Sequence, residues 1–111
     1  NLYRTKEIKL PKHVVRNLLC NGMESSEFIK IIGLFNTVPA KLLSSRAFYR
    51  DICTLFPLTY LVLTGDKMIN THHQRKMARR LGDVGLIHLD ACHAVMLHRP
   101  KQLADILMRL A

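Results

Sequence analysis

Apolar residues recur at helical spacing through the first half of the chain and gather into short continuous runs in the second, and the predicted elements divide along that change. Pro11 can open a helix, and Val14, Val15, Leu18 and Leu19 share one face until Asn21-Gly22 stops it. Glu24, Ser25 and Ser26 suit the amino end of a second helix, in which Phe28, Ile31, Ile32 and Phe35 form the stripe of a half-buried face. Residues 36–39 break that pattern, and Leu42, Leu43, Phe48, Tyr49 and Ile52 supply a further short helix. Residues 1–9 alternate only loosely and read as an extended arm.

After Pro57 the pattern tightens. Residues 59–64 are too few and too rich in β-branched and aromatic side chains to favour a helix, so they predict a strand. Asn70 or Thr71 can cap the next helix, whose apolar members are Met77 and Leu81 and whose end Gly82 marks. A second strand is expected over residues 84–89. Pro100 fits the first turn of a last helix, with Leu103, Ile106, Leu107 and Leu110 as its core-facing stripe.

The order strand, helix, strand, helix is that of a parallel sheet with covering helices, which makes the fold class α/β. Two parallel strands need neighbours on their edges and helices on both faces, so the pattern points to strands beyond those visible here. A chain of 111 residues makes one small domain. It starts on Asn1 rather than Met, as expected of a processed or cropped product or one piece of a longer polypeptide. A hydrophobic share of 49% argues for a packed core over disorder. The longest apolar runs fall well short of the ~20 residues that cross a bilayer, and nothing near the amino end has the order of a signal peptide, so no membrane span is expected.

Lys and Arg total 17 against 8 acidic residues, a formal charge of +9 that attracts nucleic acid, anionic lipid or an acidic protein surface. Part of the excess has a definite place. Arg75, Lys76, Arg79 and Arg80 form two pairs four residues apart on the helix after Thr71, either a solvated helix face or a polyanion contact. Cys20, Cys53 and Cys92 are odd in number and lack CxxC spacing, which disfavours both a disulfide framework and a zinc site. A reducing intracellular compartment, cytoplasm or organelle matrix, is the expectation. His72 and His73 are adjacent and diverge on a helix instead of chelating, and no cofactor or metal motif appears. Met68, Met77, Met96 and Met108 read as core filler, His88 as a satisfied strand residue, and Cys92 as a small buried thiol.

The candidate chemistry stands at the two strand ends. The first run closes on Thr64-Gly65-Asp66 and the second on Asp90-Ala91-Cys92-His93. In open α/β sheets reactive groups gather outside the carboxyl ends of strands, so neighbouring ends would bring an acid and an imidazole together. An acid beside a histidine holds the ring in one tautomer and stabilises the imidazolium formed when it takes a nucleophile's proton. Each residue also has a plainer reading, Asp66 in a Gly-Asp turn and His93 as a loop histidine.

The run from Pro57 to Lys67, Gln74 and Met77 on the following helix, and the stretch from Asp90 to Leu97 leading into Arg99-Pro100-Lys101-Gln102-Leu103 resemble the carboxyl-terminal part of an α/β-hydrolase, in the branch of plant methylesterases, hydroxynitrile lyases and their bacterial relatives. The resemblance implies a single partial domain over residues 1–111. Residues 1–56 would be cap-end and connecting helices, and residues 57–111 the last two strands and helices of the hydrolase core. It implies Asp66 as the triad acid and His93 as the triad base. The sequence departs from the family in two ways. The Gly-x-Ser-x-Gly elbow and the oxyanion-hole donors are absent, since Ser25-Ser26 and Ser44-Ser45 lack flanking glycines and a strand-to-helix setting. Lyases of this branch carry a lysine directly after the histidine, where this chain has Ala94, which favours an esterase.

The implied function is carboxylic-ester hydrolysis, acting on a small ester, by a Ser-His-Asp triad whose serine comes from a missing amino-terminal segment or a companion chain. The alternative is an inactive, hydrolase-derived structural or interaction subunit of a larger assembly, contacting an anionic protein or nucleic acid.

Overall fold

A computed structural model describes residues 6–111, apart from the side chains of Arg50 and Ile52, so most of the arm read over residues 1–9 and the apolar role of Ile52 lie outside the described residues. The chain runs β1 (Glu7–Ile8), α1 (Lys12–Val14), a π-helical turn (Val15–Leu19), α2 (Ser25–Ile31) with a 3₁₀ turn (Ile32–Leu34), β2 (Val38–Pro39), α3 (Ala40–Ser44), α4 (Arg50–Leu55), β3 (Thr59–Leu63), α5 (Thr71–Arg80), β4 (Gly85–Leu89), α6 (Val95–His98) and α7 (Pro100–Leu110). This is a mixed α/β chain with two small sheets. β1 pairs antiparallel with β2, and β3 pairs parallel with β4 in the register Thr59↔Gly85 to Leu63↔Leu89. No helix among the described residues is long and apolar enough to cross a membrane.

α5 makes the crossover between the parallel strands, as the order of elements requires. The Asn70 side chain caps it by accepting from the His73 N–H at 2.9 Å, and Gly82 ends it at φ +100°, a conformation that favours glycine. The face α5 turns to the sheet differs from the one its hydrophobic residues predict. Gln74 and Ala78 are buried there, while Met77 is exposed. Gln74 is held because its amide serves as a surrogate strand partner. Oε1 accepts from the Leu63 N–H at 2.8 Å, and Nε2 donates to the Leu63 carbonyl at 2.9 Å and the Ile69 carbonyl at 2.7 Å.

The first predicted helix is one α turn followed by a wider π turn, closed by the Cys20 N–H donating to the Val15 carbonyl at 2.9 Å. Arg16 fastens the turn, donating to the carbonyls of Cys20 at 2.9 Å and Met23 at 2.8 Å with its guanidinium 5.0 Å from the centre of the Phe28 ring. Val15, Cys20, Met23 and Phe28 pack with Cys92 and Ala94 into the main core, and Leu19, Ile31, Ile32, Phe35 and Leu97 surround it. The core thus joins the first two helices to the segment that follows β4.

Three expectations are corrected. Met68, Met77, Met96 and Met108 are exposed, and the buried methionine is Met23. Leu107 and Leu110 are exposed because α7 packs mainly on α6, leaving only Leu103 and Ile106 of the stripe half-buried. The apolar set after Pro39 splits into α3 and α4 around an irregular link, with Leu42, Leu43 and Phe48 exposed.

Candidate active site

The parallel register sets Leu63 beside Leu89, so both chains leave the sheet at the same end. Asp66 comes three residues after the first strand and His93 four after the second, and their side chains meet, with His93 Nδ1 2.8 Å from Asp66 Oδ2. The two loops touch closely. A Cβ on Gly65 would stand 3.0 Å from the Ala91 carbonyl oxygen and 3.2 Å from Asp90 Oδ1, so a side chain there would force the loops apart.

The acid is the fixed half of the pair. Its side chain is 3% exposed, and Oδ1 accepts from the backbone N–H groups of Met68 at 2.8 Å and Ile69 at 2.9 Å. Both carboxylate oxygens are therefore engaged, Oδ1 by the two backbone N–H groups and Oδ2 by the His93 ring. The imidazole side chain is 37% exposed, with Nδ1 turned to the acid. When Nδ1 carries the proton donated to Asp66, Nε2 holds the free lone pair and can act as a base.

Residues of the first half clamp both loops. Asn21 Nδ2 donates to the Gly65 carbonyl at 2.7 Å, and Asn21 Oδ1 is buried with no partner among the described residues. The Ala94 N–H donates to the Leu19 carbonyl at 2.9 Å. The π turn and the bend after it thus reach the acid loop through one residue and the histidine loop through another. His98 adds a third tie, its Nδ1 accepting from the Cys92 N–H at 3.0 Å while its ring packs beside Gly22. Burial is the main cause holding the His98 pKa below the ordinary histidine range. Arg99 adds to the lowering, and Asp90 and the Gly22 carbonyl oppose it. A lowered pKa favours the neutral ring, the form in which Nδ1 can accept from the Cys92 N–H.

Cys20 and Cys92 are buried thiols. Burial pushes Cys20 and Cys92 up, with the nearness of Cys92 adding to the rise at Cys20, and a thiol held protonated is a poor nucleophile. No protein-family model matches this chain, and no curated protein matches it.

Among the residues singled out from sequence, the structure brings Asp66 and His93 into contact. Arg75, Lys76, Arg79 and Arg80 lie apart from them on the exposed face of α5. His88 is exposed on β4 with Nε2 3.4 Å from Arg75 Nη2, and the His72 and His73 rings stand edge to face, 6.0 Å between centres. The cleft of about 510 Å³ lined by Arg46, Ala47, Phe48, Tyr49 and Asp51 includes neither Asp66 nor His93. Reading the sequence missed Asn21 and His98 as clamps, and no pattern around either one advertised the role. Gln74 did leave a signal. It stands four residues before Ala78 and seven before Leu81, a polar residue on the row that packs against the sheet.

Proposed function

We propose that this chain is the carboxyl-terminal section of an α/β-hydrolase and supplies the acid and base of a Ser-His-Asp triad that hydrolyses a carboxylic ester. The single observation that carries this reading is the contact between a buried, doubly anchored Asp66 and the half-exposed His93 ring at the carboxyl ends of adjacent parallel strands. The serine and the oxyanion-hole donors would come from a segment outside these 111 residues.

In this mechanism His93 Nε2 takes the serine hydroxyl proton as the oxygen attacks the ester carbonyl. Nδ1–H stays on Asp66, whose negative charge stabilises the imidazolium. The imidazolium then gives its proton to the departing alkoxide oxygen, leaving an acyl-serine. A water deprotonated by Nε2 attacks the acyl carbon, and the proton returns to the serine as the carboxylic acid leaves. Asp66 accepts no proton at any step.

A second reading, a subunit derived from a hydrolase and kept for binding, is favoured by the formal charge of +9, which suits an anionic partner. The test that separates the two is intact mass and peptide mapping of the native protein together with p-nitrophenyl acetate turnover by the wild type and His93→Ala. Turnover that vanishes in His93→Ala, from a species containing an additional serine-bearing segment, is the expected result. Turnover unaffected by His93→Ala, or none at all in a species that contains such a segment, would overturn the esterase reading.

A further inference from the structure

We propose that the outer face of α5 is a docking surface for double-helical nucleic acid, held through its phosphates without regard to base sequence. The inference stands whether or not Asp66 and His93 carry out chemistry. At the 100° turn of an α-helix, Arg75, Arg79, Lys76 and Arg80 occupy one arc of about 140°. Gln74 and Ala78, on the opposite side, are buried against the sheet, which turns the cationic arc outward.

Four adjacent cations repel one another, and folded proteins usually offset such a cost with neighbouring acids. Here, among the described residues, none of the four pairs with a carboxylate. Asp83 lines the same shallow cleft as Arg75 and Arg79 without pairing with either. His88 extends the surface onto β4 through its approach to Arg75. The free-standing charge is unfavourable for folding and favourable for a partner that brings its own negative charge.

The side chains select among anionic partners. Three of the four cations are arginines, whose planar fork binds phosphate oxygens in bidentate fashion, so phosphate is favoured over scattered carboxylates. A helix that binds a lipid surface buries an apolar face there, but the outward arc of α5 is cationic and its inner face is already packed on the sheet. Binding of single strands relies on aromatic platforms, but the cationic arc itself carries no Phe, Tyr or Trp, and the neighbouring Tyr49 and Tyr60 share a cleft with Arg80 alone of the four cations. What remains is the regular phosphate track of a duplex, approached by a helix whose paired cations recur four residues apart.

The experiment is fluorescence anisotropy of a labelled 20-bp DNA duplex of arbitrary sequence titrated with the full chain. If the four cations each displace a counterion, log K falls against log salt with a slope of about −3.6, an affinity loss of about 150-fold between 50 and 200 mM salt. R75Q/K76Q/R79Q/R80Q should remove most of that slope with an unchanged circular dichroism spectrum. R75K/R79K/R80K, which keeps charge while losing the forks, should keep the slope with weaker binding. Replacing Lys6, Lys9 and Lys12 by Gln should leave most of the slope in place. The proposal is overturned by a slope that R75Q/R79Q leaves unchanged, by no binding of the wild type at 50 mM salt, or by equal or tighter binding to phosphatidylserine vesicles or polyglutamate.

Discussion

Replacing Gln74 by Met tests whether a buried amide organises the acid loop. The two side chains are close in size and shape, so Gln74→Met leaves the packing of α5 on the sheet nearly intact while removing every polar contact. Three hydrogen bonds disappear, those to the Leu63 N–H and carbonyl and to the Ile69 carbonyl. Leu63 and Ile69 are half-buried, so water can restore part of what is lost. At about 1 kcal/mol per bond the expected loss is about 3 kcal/mol, a large part of the stability of a small domain. Urea unfolding followed by circular dichroism measures it, with Met77→Gln as a control on the exposed side of the same helix. The control should stay within about 0.5 kcal/mol of the wild type, and a loss no larger than that in Gln74→Met would refute the claim. A true loss should also raise amide hydrogen exchange at Met68 and Ile69, whose N–H groups depend on a correctly placed Asp66.

Three more predictions follow from the same geometry. Stability should fall as pH drops through the ordinary histidine range and into the lower range where folded His98 titrates. The unfolded chain binds the His98 proton more readily, so this contribution is fully present above about pH 6.5 and lost below it. His98→Asn, which keeps an acceptor near Nδ1, should flatten that dependence while retaining more stability than His98→Ala in matched urea titrations. Gly65→Ala should separate the two loops, costing about 1–3 kcal/mol and exposing the Asp66–His93 contact to faster exchange, whereas a neutral result would mean the loops can give way freely. Asn70→Ala should cost about 1 kcal/mol of thermal stability through loss of the α5 cap, and Asn70→Ser should recover most of it.

The second half of this chain was legible because its elements are fixed locally. Short β-branched runs, a capping Asn, an ending Gly and a Pro in a first turn each act within a few residues, so β3, α5, β4 and α7 fall close to their expected places. The meeting of Asp66 and His93 was legible for a topological reason, since parallel strands in register must release their chains at the same end. The first half was less so. One helical pattern hides the π turn at Val15–Leu19, because a stripe of apolar residues does not register one extra residue in a turn. The clamps from Asn21 and His98 depend on contacts between segments distant in sequence, on which periodicity is silent. The methionines and the far rows of α7 were misread because hydrophobicity reports what a residue would gain by burial and does not report whether a neighbour is there to bury it.

The central claim is that Asp66 holds the His93 ring with its proton on Nδ1 and its lone pair on Nε2. Nitrogen-15 NMR of the histidine-labelled full chain tests it directly. The account predicts that the His93 ring carries its proton on Nδ1, and that it shifts toward the Nε2-protonated tautomer in Asp66→Asn, where the amide can donate to Nδ1. A wild-type ring protonated at Nε2, or a tautomer that Asp66→Asn leaves unchanged, would contradict it.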